Sequence, residues 1–363
     1  MRVSYILGFL SVLLTSFSIF ATERYEFFTG VRQNGMGGAG VAAVNDETAL
    51  LTNPALLAKL RGYIFTIADP ELSAGSENLS IYGNNTPSSV MEPQGLLTAV
   101  TQQPNKHWHA KAQLLPSFVI SNFGFGVFYK QEWNAELVSS TPTSATPRYL
   151  LDYTYDTGFV LGYSLRLFDG RLKIGMAGRY INHVITRSDL DPSATGLTLG
   201  DLVSEGGGIA GDGGIVLAAP WTFLPTIAAS IHDIGHTRYD LNGGLFYKNG
   251  RRPHDTPQTI DVGVALFPIH SNHVRSVFTV DYRDVTTAGE ETDIMRRLHG
   301  GVEVNLGDMI FLRGGMNQRY WTAGFEFSMR LIQIQMATYG EEIGTATAYR
   351  EDRRYTSKLS IRF

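Results

Sequence analysis

The sequence predicts an all-β protein: a transmembrane antiparallel β-barrel of about fourteen strands, with a small N-terminal helical plug in its lumen. Three observations predict it. Segments of about ten residues keep a two-residue alternation of apolar and polar side chains. The connections between them fall into a short class and a long class. Beyond residue 21 no run of 18 apolar residues occurs that could cross a bilayer as a helix.

Taken in order, the first 21 residues, "MRVSYILGFLSVLLTSFSIFA", combine one basic residue with an unbroken apolar and hydroxyl stretch. Ile19 and Ala21 sit at a plausible cleavage position, so residues 1–21 read as a secretory signal peptide. Cleavage there removes Arg2 alone from the 30 Lys and Arg, leaving 29 against 34 Asp and Glu, a net charge of −5. With both signs scattered, this charge does not suit a nucleic-acid partner. The 363 residues contain no cysteine, which excludes disulfides, thiolate metal sites, a Cys nucleophile and a lipidated N-terminus.

Residues 22–61 form the second unit. Within them "GMGGAG" (Gly35, Gly37, Gly38, Gly40) matches a dinucleotide-binding fingerprint, which requires a buried strand before it and an acidic residue roughly 20 positions later. The preceding "ATERYEFFTG" is polar and aromatic, and the later "ALLAKL" has no acid. The glycines instead suit close backbone approach and positive φ in a segment packed inside a barrel. Its expected form is a glycine turn, a short helix from about Val41, and a second helix beginning at Asn53-Pro54-Ala55. There Asn caps, and Pro fits a first helical position.

Residues 62–363 supply the barrel. The expected strands are 62–68, 108–121, 123–135, 149–167, 171–187, 209–219, 225–233, 257–267, 274–284, 296–306, 309–316, 320–328, 332–339 and 354–363. In "WTAGFEFSM", for example, Trp321, Ala323, Phe325, Phe327 and Met329 oppose Thr322, Gly324, Glu326 and Ser328. Tight links such as "NFG", "FDG" and "GD" lie on one side, and long connections lie on the other. That segregation is the habit of outer-membrane barrels and has no cause in a soluble sandwich. In lipid every backbone polar group needs an internal partner, so the sheet must close. Tyr149, Tyr153, Trp221, Phe267, Tyr282 and Tyr320 are placed for aromatic girdles. The closing alternation of Tyr355, Leu359, Ile361 and Phe363 resembles the C-terminal signal read by the barrel-assembly machinery.

Several side-chain constellations bear on chemistry. Glu303, Arg313 and Glu326 fall on successive strands facing the lumen, as a mutually neutralising network or a charge ladder that holds the plug or selects solutes. Leu197, Leu199, Leu202 and Val203 take near-helical spacing in a long loop, where they either pack over the barrel mouth or line a ligand-capture site. His107 and His109 share a strand face without a third ligand nearby, so no metal is expected. No G-x-S-x-G elbow or assembled Ser, His and acid occurs, so no enzyme activity is expected. No cofactor is implied either.

The stretch Gly30–Leu60, with Gly35-Met36-Gly37-Gly38-Ala39, Asp46, Ala49 and Asn53-Pro54-Ala55, resembles the N-terminal hatch of the FadL-type outer-membrane transporters and their PorV-like relatives. The segments "LHGGVEVNLGDMIFLRGGMNQRYWTAGFEF", "YGEEIG" and "RRYTSKLSIRF" are similar to the C-terminal barrel of the PorV-like branch. The resemblance implies a fourteen-stranded plugged barrel in a bacterial outer membrane. It also implies passive uptake of small hydrophobic, fatty-acid-like compounds, or alternatively a non-transporting barrel that serves a secreted or periplasmic protein partner.

Overall fold

Alternation of β-branched and aromatic side chains with small or charged ones produces one closed sheet of sixteen hydrogen-bonded segments. The computed structural model describes residues 23, 26–82, 89–139, 146–289, 291–329, 331–345 and 348–363. The expected signal peptide lies outside the described residues. The segments are β1 Tyr63–Ala68, β2 Glu71–Gly75, β3 His107–Leu114, β4 Ser117–Ile120, β5 Phe123–Val138, β6 Arg148–Leu167, β7 Leu172–Leu190 and β8 Ser204–Ala218. They continue as β9 Thr226–His232, β10 Thr259–Leu266, β11 Val274–Tyr282, β12 Leu298–Leu306, β13 Ile310–Asn317, β14 Tyr320–Ser328, β15 Ile332–Glu342 and β16 Glu351–Arg362.

These segments make fourteen strands, because the first two strands are each broken once. β1 pairs with β4 and β2 with β3, while β5 pairs with both β3 and β4. The breaks fall side by side at Asp69-Pro70 and Leu115-Pro116, where each proline withholds an N–H from the ladder. Asp69 patches the gap: its carboxylate accepts the Leu115 N–H at 2.6 Å and meets the Lys358 ammonium at 3.0 Å. The sequence reading ended the first strand at residue 68. It resumes as β2 because "ELSAG" keeps the alternation, with Glu71, Ser73 and Gly75 inward and Leu72 and Ala74 outward. β16 closes the barrel against both β1 and β2.

The wall is lopsided. β5, β6, β7 and β8 run 16, 20, 19 and 15 residues, whereas β9 to β14 run only 7 to 9. Since about 9–11 residues cross a bilayer, the long strands rise beyond the hydrocarbon on one side. Their lower outward residues, Phe159, Leu161, Tyr163 and Leu165, are exposed and form the lipid-facing band. Higher up, Trp108, Trp133, Leu137, Tyr149, Leu151, Tyr153 and Val184 keep the outward parity yet are buried. A collar covers them, made of the helices Asn78–Tyr82 and Pro93–Thr101 and the loop at 197–203. Tyr149 and Tyr153, expected in an aromatic girdle, therefore lie beneath the collar at 0% and 3% exposure.

Candidate functional site: the lumen and its N-terminal segment

Inward-facing positions of the lower wall carry small residues, and the N-terminal segment packs against them. It contains a helix Val31–Gly35, a turn at Val41–Ala43, a short helix Ala49–Thr52 and a 3-10 helix Pro54–Lys59. No helix starts at Val41, contrary to the sequence reading: the glycine-rich turn runs on, and its amides bond to the wall instead. Asn53 does cap the 3-10 helix, its Oδ1 accepting the Ala55 N–H at 3.1 Å with Pro54 in the first position. Its Nδ2 donates to the Val41 carbonyl at 2.9 Å, which ties the turn to the helix.

Contacts with the wall are close and polar on one side. Gly40 and Val41 donate their N–H groups to Asp281 Oδ2 at 2.5 and 2.8 Å. Thr322 Oγ1 donates to the Gly35 carbonyl and accepts the Gly37 N–H, both at 3.0 Å, and Arg283 donates to the Gly38 carbonyl. Gly37 and Gly38 hold positive φ of 68° and 81°, and a Cβ on Gly37 would lie 2.3 Å from the Gly300 carbonyl oxygen.

On the opposite side the contacts are apolar. Leu50 and Leu57 fill slots over Gly124 and Gly162, and the Pro54-Ala55 backbone lies against Gly175. Leu50, Leu51, Leu56 and Leu57 share one buried cluster with Leu115, Val119, Phe128 and Val160 of the wall. Leu115 belongs to the strand break, so the apolar side of the segment abuts a place where adjacent strands are both interrupted.

Glu303, Arg313 and Glu326 come together in the lumen. Arg313 Nε donates to Glu303 at 2.7 Å, and its far nitrogen donates to Glu326. Arg32 of the N-terminal segment completes the chain, donating to both Glu303 oxygens at 2.8 and 2.7 Å. Arg32 also meets Asp46 at 3.1 Å. Burial alone would push the Asp46 carboxyl up; the Arg32 guanidinium outweighs that and holds it down at about 2. Residue spacing could not reveal this fourth member, since Arg32 and Glu303 are 271 positions apart.

Above the segment the lumen is polar. Glu23, Lys111, Lys130, Glu132, Glu341 and Arg354 line one cavity there. Residues leading into the segment are tied to its walls: Arg354 binds both Glu23 oxygens at 2.7 Å, and Lys130 donates to the Glu26 carbonyl at 2.7 Å. Glu23, His109 and Glu132 approach closely enough to share an ion. The Arg354 guanidinium already occupies Glu23, and His109 Nδ1 lies 2.8 Å from Asn134 Oδ1, so the group reads as an ion-pair and hydrogen-bond network. His107 faces Glu136 and Asp352 at 3.6 and 3.8 Å.

Leu197, Leu199, Leu202 and Val203 are not over the barrel mouth. They pack into the external collar with Trp133, Tyr153 and Tyr247. The strand parity that placed their partners outward was readable, but nothing in the sequence showed that a loop would fold back over them. At the C-terminus Tyr355, Leu359, Ile361 and Phe363 point outward and are exposed, and Phe363 exchanges two backbone hydrogen bonds of 3.0 Å with Phe65 across the seam.

A fourteen-stranded, lipid-facing barrel with an N-terminal segment in its lumen has the fold of the FadL-type outer-membrane barrels. The solved structures it is similar to include a hydrocarbon channel and a toluene transporter. The CymD monoaromatic hydrocarbon channel aligns over 91% of this chain and 96% of its own at 10% identity and TM-score 0.52. The toluene transporter TbuX of Ralstonia pickettii aligns over 92% and 98% at 13% identity and TM-score 0.54. At such identities the likeness is one of fold. No family model and no curated protein matches the sequence.

Proposed function

We propose that this protein is a passive outer-membrane channel for small hydrophobic compounds, closed by its N-terminal segment, with no catalytic role. The observation that carries the reading is the juxtaposition of Leu50 with the paired break at Asp69-Pro70 and Leu115-Pro116. Withdrawal of Leu50 and Leu57 would leave a pocket lined by Leu115, Val119, Phe128 and Val160. The adjacent gap in the wall is bridged by the Asp69 side chain in place of a backbone ladder, and its opening would let an apolar molecule leave sideways into the bilayer. Movement would be downhill, driven by partition into lipid. Residues 22–61 act as the hatch in this reading, with the Arg32–Glu303–Arg313–Glu326 chain as its latch. Tyr355, Leu359, Ile361 and Phe363 act as the assembly signal.

Fatty-acid-like and monoaromatic molecules both suit such a pocket. One observation favours a second reading: the charged cavity around Glu23 and Arg354 gives an apolar solute no continuous path along the barrel axis. A barrel that serves a secreted or periplasmic protein partner needs no such path.

The chain has no cysteine, so a lock is simple to engineer. A Cβ at Gly124 would lie 3.3 Å from Leu50 Cγ, which suits a disulfide between L50C and G124C. Uptake of radiolabelled toluene and of a radiolabelled medium-chain fatty acid into cells should fall to background in the oxidised variant and return on reduction. Equal uptake in both states refutes the hatch mechanism. No uptake in either state, with a stoichiometric protein co-purifying, establishes the second reading.

A further inference from the structure

We propose that the loop at 241–252, folded on the outside of the tall wall beside β8, is a binding site for a phosphorylated, anionic lipid of the outer leaflet. The inference holds whether or not the barrel conducts. Its parts are fixed in height by strand register. Phe159, Tyr180 and Ile209 are aligned across β6, β7 and β8, and Phe159 and Ile209 are exposed at the top of the lipid-facing band. Tyr155, Val184 and Glu205 form a second outward row, four residues higher. Four residues rise about 13 Å along a strand, or about 10 Å above the first row at ~40° tilt. The headgroup zone extends about 5–8 Å beyond the hydrocarbon, so the second row lies at its outer edge.

The loop lies between these two levels. Leu241 donates its N–H to the Gly207 carbonyl at 3.0 Å, and Asn242 Nδ2 donates to the Tyr180 hydroxyl at 2.8 Å, which sets its lower end between the two rows. Its upper end is pinned by Glu205, an outward carboxylate that accepts the N–H groups of Leu245, Phe246 and Tyr247 at 2.7 to 3.1 Å. Glu205 itself donates its N–H to the Arg251 carbonyl at 2.9 Å. So held, the loop leaves Leu241, Leu245 and Phe246 exposed by 58%, 51% and 55%.

Directly after them come Lys248, Arg251 and Arg252, all exposed, with no acidic residue between 241 and 254. Lys248 and Arg252 make no ion pair among the described residues, and the Arg251 guanidinium donates to the Asp201 backbone carbonyl. Leu241, level with Gly207 between the two rows, and Leu245 and Phe246 beside the cations at headgroup level give the loop the mixed apolar and cationic outer face that an anionic amphiphile matches. A soluble protein partner would have to displace the lipid headgroups that this level of the wall meets.

Binding of lipid A, bearing two phosphates, and of its dephosphorylated form tests this by native mass spectrometry of the purified barrel. The variant K248Q/R251Q/R252Q should bind lipid A about 100-fold more weakly than the wild type, since each cation near an anionic surface contributes roughly fivefold. The wild type should prefer lipid A to the dephosphorylated form by a comparable factor. The gel shift on heating, which reports the folded barrel, should be unchanged. Equal binding of lipid A by variant and wild type overturns the proposal. So does a wild type that does not distinguish the two lipids, a comparison that needs no variant to fold.

Discussion

Gly175→Ala is the smallest change that should unseat the N-terminal segment. Gly175 faces the lumen from β7, and a Cβ built there would lie 2.3 Å from Ala55 N, 2.4 Å from Pro54 C and 2.5 Å from Pro54 O. All three are backbone atoms, so no side chain can turn away. Restoring ordinary contact needs the 3-10 helix to move by about 1 Å. That strains the Asn53 cap, whose Oδ1 would sit 2.0 Å from a Cβ at Gly214 and has no slack of its own. Overpacking of this kind costs about 1–3 kcal/mol. Spent entirely on the seated state, it shifts the seating equilibrium about 5- to 150-fold. The assay is thiol labelling of Ala49→Cys, a fully buried position of the segment in an otherwise cysteine-free chain. Gly178→Ala is the control: on the same strand, its Cβ meets nothing within 4 Å. Labelling should accelerate 5- to 150-fold for Gly175→Ala, by the same conversion, and stay constant for Gly178→Ala. Equal rates in the two variants would refute the claim that the segment is seated by backbone contact with the wall.

Other expectations follow from the same geometry. Glu303→Gln leaves Arg32 and Arg313 buried around a neutral amide, a loss of about 3–5 kcal/mol, so Ala49→Cys labelling should rise more than 100-fold. An unchanged rate would show that the latch is unnecessary. Asp46 is held below its usual range in the seated state, so its contribution is complete above about pH 4 and is lost as pH falls through about 2. Conductance in planar bilayers should therefore rise on that descent, and Asp46→Asn should flatten the rise. Deleting Phe363 removes two seam hydrogen bonds and the proposed assembly signal. The heat-modifiable, membrane-inserted fraction should drop, and normal insertion would count against that role.

Much of the barrel was legible because a lipid-facing wall imposes an unbroken alternation on each strand, as in β14, where Trp321, Phe325 and Phe327 face out and Thr322 and Glu326 face in. The interrupted strands were harder. Asp69-Pro70 reads as the start of a loop, and only pairing with Lys358 and Leu115 shows that the strand continues. The collar was invisible for a physical reason: Trp133, Tyr149 and Tyr153 have the same outward parity and apolarity whether lipid or a folded loop covers them. The N-terminal segment showed its glycines and its Asn-Pro cap, but helices of four to six residues carry no periodicity. Its anchors, Asp281 and Glu303, lie more than two hundred residues away.

The most direct test of the account is the conductance of the barrel in planar bilayers with and without residues 23–55. The intact chain should stay nearly closed, with brief openings, and the shortened chain should show a large, persistent conductance. Matching traces from the two proteins would contradict the idea that this segment closes the lumen.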